Sequence, residues 1–242
     1  MLEIGRFRLP LRSLVLLVAL GLIAPTLFAH AKDILKNAKK LYSQRNEELI
    51  IRDFFQDRRE GFFLDVGCAW PIRNSTTYFL EKHLDWSGIS VDGLPDYGPW
   101  WKDKRPRSKF FNFIVTDHSG TVESFYRAAW PGISSIEKGR VMAGREVNQQ
   151  EIKVPTTTLN DLLEKNGIEK IDFLSMDIEK AEPLALAGFD IKKYQPQLVC
   201  IEATDGVRDQ LLEYFEKNDY ERIERYLEHD QQNWFFTPKK KS

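Results

Sequence analysis

What most constrains this chain is a repeated pattern: a short apolar run that stops at an acid, then a stretch of helical period, then another such run. Phe62-Phe63-Leu64-Asp65-Val66-Gly67 is the first, Gly88-Ile89-Ser90-Val91-Asp92 the second, and Phe110 to Val115, ending at Thr116-Asp117, the third. Later, Ile171 to Met176 runs into Asp177, and Gln197 to Ile201 into Glu202. Short runs that are apolar throughout read as buried strands, and strands alternating with helices imply a mostly parallel sheet covered on both faces. Helices are predicted over Ser75 to Leu84, Thr158 to Asn166, Ala181 to Ala187 and Asp205 to Asn218, the last with Val207, Leu211, Leu212 and Phe215 on one face. Thr121 to Tyr126 is expected as a short extra strand, and Tyr220 to Leu227 with Asn233 to Thr237 as a closing antiparallel hairpin. The stretch Arg127 to Gln150, with Gly132, Gly139 and Gly144, has no readable period and is expected to carry a substrate loop. Ligands of open α/β sheets bind beyond the carboxyl ends of the strands. Asp65, Asp92, Asp117, Asp177 and Glu202 are therefore read together as candidates.

The N-terminus departs from this pattern. Arg6, Arg8 and Arg12 precede an apolar run from Leu14 to Ala29, which reads as a signal peptide or a membrane anchor. Ala29-His30-Ala31 fits a cleavage site, while Lys32, Lys36, Lys39, Lys40 and Arg45 favour a retained anchor with the domain facing the cytosol. A cleaved segment would instead give a secreted or lumenal form. The expected layout is residues 1–31 as this segment, 32–57 as a basic helical stalk, 58–238 as the domain and 239–242 as a basic tail. Lys plus Arg number 35 against 36 Asp plus Glu, so the whole chain gives no reason to expect nucleic acid as a partner. Cys68 and Cys200 are too few for a disulfide framework, and His30, His83, His118 and His229 share no close spacing, so no Cys/His metal site is expected.

The first loop narrows the ligand. Asp65-Val66-Gly67-Cys68-Ala69-Trp70-Pro71 has neither the glycine spacing nor the lysine with which backbone amides and ammonium cradle phosphates. S-adenosylmethionine carries no phosphate and needs one close backbone approach, which Gly67 supplies. Asp92, at the end of the second strand, is placed to accept both ribose hydroxyls, and Asp117, after the third, to accept from the adenine amino group.

From about Gly61 to Pro238 the chain resembles the FkbM-type methyltransferases. The resemblance rests on Phe63-Leu64-Asp65-Val66-Gly67, Asn74-Ser75-Thr76-Thr77-Tyr78-Phe79-Leu80-Glu81, Trp86-Ser87-Gly88-Ile89, the run Val154 to Leu163, and above all Ile171 to Glu182. That last piece resembles the family's apolar strand followed by Asp-x-Glu-Gly-x-Glu, with Lys180 standing where the family commonly has glycine. Cys68-Ala69-Trp70-Pro71 likewise replaces smaller residues. The resemblance implies a Rossmann-like class I methyltransferase fold and S-adenosyl-L-methionine as cofactor. It implies an O-methyltransferase acting on a hydroxyl of a sugar, lipid-linked glycan or small metabolite. Asp65, Gly67, Asp92 and Asp117 are the expected cofactor contacts. Asp177 or Glu179 is the expected base or anchor of the acceptor hydroxyl. Glu182 reads as a helix-terminal acid and His118 as a turn residue. The altered loop and the anchor motivate an alternative, a degenerate fold serving as a membrane-tethered binding or trafficking module. A nucleotide-sugar transferase is a weaker reading, since no D-x-D motif stands at a strand end.

Overall fold

The computed structural model describes residues 33–139, 141–142, 145–146 and 148–240. The apolar segment at residues 1–31 lies outside the described residues; among those described, no helix is long and apolar enough to cross a membrane. The elements are α1 (Ile34–Asn37), α2 (Glu47–Phe55), β1 (Phe62–Val66), α3 (Tyr78–Leu84), β2 (Ser87–Asp92), α4 (Tyr97–Lys104), β3 (Ser108–Asn112), β4 (Ile114–Val115) and β5 (Val122–Ala128). They continue with β6 (Val141–Met142), β7 (Arg145–Glu146), β8 (Gln149–Thr157), α5 (Leu159–Lys165), β9 (Phe173–Met176), α6 (Glu182–Ala187), α7 (Ile191–Tyr194), β10 (Leu198–Glu202), α8 (Arg208–Lys217), β11 (Tyr220–Arg222) and β12 (Asn233–Pro238).

A seven-stranded sheet runs in the order β11-β12-β10-β9-β1-β2-β3. Its central strands are parallel, and β12 joins β10 antiparallel and pairs with β11 as the expected hairpin. Alternate residues serve two cores, which is why the strands read as continuous apolar runs. Leu64, Val66, Ile89, Val91, Leu174, Met176, Val199 and Ile201 pack with α5 to α8. Phe63, Phe173, Leu198, Cys200 and Phe235 face the other way, onto Ile50, Ile51, Phe55, Phe79, Leu80 and Trp86. Helix ends follow local chemistry. Thr158 caps α5 by accepting from the Asp161 amide, and α3 stops at Asp85 in the left-handed region.

Three expectations change. The continuous stalk predicted over 32–57 is instead two helices separated by non-helical chain, and α2 is not a stalk but part of the core through Ile50, Ile51 and Phe55. The third strand breaks at Phe113: β3 pairs with β2, whereas β4 pairs with β8 in a separate three-stranded sheet, β4-β8-β5. The amphipathic face of α8 holds Leu211 and Phe215 in the core but leaves Leu212 38% exposed on its flank.

Candidate active site

A cleft opens at the carboxyl ends of β1, β2 and β9. Its lining includes Val66, Gly67, Ala69, Asp92, Asp177 and Glu179, and the second sheet with the loop that follows β5 closes it through Ile114, Phe125, Ser134 and Ile136. The unread stretch after Arg127 thus supplies one wall.

The turn after β1 is held from several sides. Gly67 has φ +78°, and a Cβ there would stand 1.8 Å from the Asp177 carbonyl oxygen. Its amide donates to the Val91 carbonyl at 2.9 Å, and the Asp177 amide to the Val66 carbonyl at 3.0 Å, so three strand ends are drawn together. The glycine is required by the protein's own backbone. Arg105, fully buried, donates to Glu81 at 2.6 Å, to the Pro71 carbonyl at 2.9 Å and to Thr77 at 2.9 Å. Thr77 in turn donates to Asp65 at 2.6 Å. Trp101 donates to the Ala69 carbonyl at 2.8 Å, while its neighbour Trp100 is exposed. Cys68 is buried against Leu94, Trp101 and Phe125, and Trp70 meets Tyr97 and Trp130. Of the loop residues that depart from the family pattern, Cys68 and Trp70 therefore pack behind and beside the cleft, while Ala69 lines it. Nothing in the sequence marked Arg105, because its partners lie 24 or more positions away.

Of the expected cofactor contacts, Gly67 and Asp92 line the cleft; Asp65 and Asp117 do not. Asp65 points to the opposite face of the sheet, into the Thr77–Arg105 network, and burial lifts its pKa to about 6 against the opposing pull of those two groups. Asp117 is displaced because β4 has left the main sheet. It is exposed and pairs with His118 at 2.7 Å. His118 also reaches Glu123 at 2.8 Å, and these carboxylates raise its pKa as an exposed surface group. Asp92 accepts from the Ala69 amide at 3.0 Å and the Leu94 amide at 2.8 Å, one on each oxygen. A carboxylate has about four lone-pair sites, so both oxygens retain capacity. Burial raises its pKa to about 6, the two amides opposing.

Asp177 and Glu179 open on the same cleft. Glu179 and Lys180 have φ of +60° and +77°, and the Ala181 amide donates to the Ile178 carbonyl at 3.4 Å. These are marks of a type I′ turn, and they explain why glycine suits the Lys180 position in the family pattern. Asp177 is held well above the usual carboxylate range by loss of bulk water in the cleft and then by Glu202, Glu179 and Glu182. Glu182 is fully buried, accepts from the Ile178 amide at 2.9 Å and is lifted to about 7, mainly by burial. It is a helix-start acid, as expected, with a carboxyl buried beneath the cleft.

The methyltransferase FkbM domain model matches residues 65–232. The chain belongs to this family. The FkbM-domain chain is accordingly an S-adenosylmethionine-dependent methyltransferase. Among solved structures it is similar to a TehB-like methyltransferase from Corynebacterium glutamicum, at 14% identity and TM-score 0.46, covering 94% of this chain and 97% of that one. A precorrin-6y C5,15-methyltransferase from Geobacter metallireducens gives 10% identity and TM-score 0.43 over 77% and 76% of the two chains. The Burkholderia thailandensis 1,6-didemethyltoxoflavin-N1-methyltransferase gives 12% and 0.36 over 97% and 91%. No curated protein matches.

The cleft fits the cofactor. Gly67 lines the floor without a side chain, Asp92 keeps acceptor capacity for vicinal hydroxyls, and Val66, Ile114, Phe125 and Ile178 offer apolar surface to a flat base.

Proposed function

We propose that this FkbM methyltransferase acts on a hydroxyl oxygen of a sugar, lipid-linked glycan or small metabolite. The observation that carries the reading is that Asp177 and Glu179 open on the very cleft that Gly67 and Asp92 line. The cofactor supplies an electrophilic methyl group. Asp92 would hold the ribose hydroxyls, and the apolar wall would hold the adenine. Asp177 or Glu179 would orient the acceptor hydroxyl and take its proton. A carboxylate whose pKa is raised is the stronger base in its ionised form, and Asp177 is raised. The altered first loop, which motivated a binding-module reading, is buttressed by Arg105 and Trp101 and leaves the cleft open.

The test needs an acceptor, found by screening extracts with labelled methyl donor. Asp177→Asn and Glu179→Gln keep shape and remove charge. The variant that loses the base or anchor drops in turnover by ~100-fold or more, with cofactor affinity little changed. Near-full activity in both would overturn the assignment.

We further propose that residues 1–31 tether the protein to a membrane with the domain in the cytosol, where the cofactor is made. The basic clusters on both sides of the apolar run support this.

A further inference from the structure

Parallel pairing of β9 and β10 sets Met176 beside Ile201, so the next residue of each strand end, Asp177 and Glu202, emerges abreast. Helix α6 begins with Glu182 close by. Carboxylate oxygens of Asp177, Glu182 and Glu202 all lie within 4.8 Å of one another. Glu182 and Glu202 are only 0% and 5% exposed. On each, one oxygen is engaged: Glu182 Oε1 accepts from the Ile178 amide at 2.9 Å, and Glu202 Oε1 from Gln232 at 2.6 Å. The second oxygen of each, Oε2, is buried with no partner. Among the described residues no lysine, arginine or histidine pairs with any of the three.

A buried carboxylate oxygen without a donor is costly, and one cation reaching all three groups would satisfy and neutralise them together. An organic ammonium entering from the cleft would meet Asp177, which is exposed to it, but not the oxygens buried beneath. A bare ion is small enough to reach all three. An all-oxygen donor set selects hard divalent cations such as Mg2+, Mn2+ or Ca2+ over zinc or copper. We propose that Asp177, Glu182 and Glu202 bind one such cation at the ends of β9 and β10, with open coordination positions for the acceptor's oxygen. That last clause rests on the O-methyltransferase reading; the cation site itself does not. A hydroxyl on the cation gives up its proton more readily. Asp177 then serves as a ligand, and Glu179 is the carboxylate that receives the proton.

The experiment uses the full chain stripped with chelator and titrated with Mn2+ alone, free Mn2+ being followed by electron paramagnetic resonance. The expected result is saturable binding of one ion below about 1 mM. Glu202→Gln should bind at least ~10-fold more weakly while its titration with S-adenosylhomocysteine is unchanged. Without metal, Glu202→Gln should melt above the wild type, since it removes one carboxylate from a crowded group of three. With Mn2+ the wild type should rise and the variant should not. Should Glu202→Gln fail to fold, Glu182→Gln gives the same comparison and keeps an oxygen for the Ile178 amide. A wild type that binds S-adenosylhomocysteine yet shows no saturable Mn2+ binding overturns the proposal, as does a variant that binds Mn2+ like the wild type. Loss of S-adenosylhomocysteine binding in the wild type would instead sink the cofactor reading and leave the Mn2+ result standing.

Discussion

At the scale of single residues, Gly67 and Asp92 line the proposed cofactor end of the cleft for different reasons. Gly67→Ala must place a methyl group against the Asp177 carbonyl and hold φ near +78°. The left-handed backbone costs ~1–2 kcal/mol and the crowding ~1–3 kcal/mol more. Urea unfolding of this variant should therefore show a loss of roughly 2–5 kcal/mol, and an unchanged midpoint would contradict the close approach. Asp92, with a pKa lifted to about 6 by burial, is charged above that pH and neutral below it. Its contribution to folding stability is present at acid pH and fades as pH climbs through that value, because folding favours its protonated form. On the proposed ribose-binding role of Asp92, cofactor affinity runs the opposite way, since only the carboxylate would accept from both hydroxyls. Calorimetry with S-adenosylhomocysteine should show affinity falling as pH drops from 8 to 5. In Asp92→Asn affinity should be at least ~10-fold lower at pH 8 and nearly flat with pH.

At the scale of elements, helix α2 is a part of the core that sequence reading assigned to a stalk. Burial of Ile50, Ile51 and Phe55 contributes ~1.5–3 kcal/mol each, a sum comparable with the whole margin of ~5–15 kcal/mol. A chain beginning at residue 58 should lack a cooperative thermal transition, and circular dichroism melting against the full chain checks this. The strands of the main sheet were legible because both faces are apolar and each stops at a turn. The break at Phe113 was not, because Phe110 to Val115 is apolar throughout and hydropathy does not encode which neighbour a strand pairs with. That hidden change of partner carried Asp117 out of the cleft. Asp65 was legible as an acid, but its role depends on Thr77 and Arg105, brought to it by the fold. Gly67, Asp92, Asp177 and Glu179 were found together because parallel strands in register deliver their ends to one rim. The loop after β5 was expected to carry substrate contacts, but the residues that wall the cleft, Ser134 and Ile136 among them, could not be picked out of a stretch with no period to read.

At the scale of the whole molecule, the proposed orientation bears on Asn74-Ser75-Thr76, a glycosylation sequon. Asn74 is half-buried at a bridge to Ser43 and does not line the cleft, so a glycan there would disturb packing and not ligand access. With the domain in the cytosol, Asn74 stays unmodified and protease added to sealed microsomes digests the domain; protection would reverse the orientation. The two sheets have a further consequence. Among the described residues no strand ladder joins β4-β8-β5 to the seven-stranded sheet, and the cleft wall contributed by Phe125, Ser134 and Ile136 lies within one continuous piece of chain between Phe113 and Leu159. The wall is thus a separable part: exchanging that one segment would reshape the cleft and leave the pairing of the seven strands as it is.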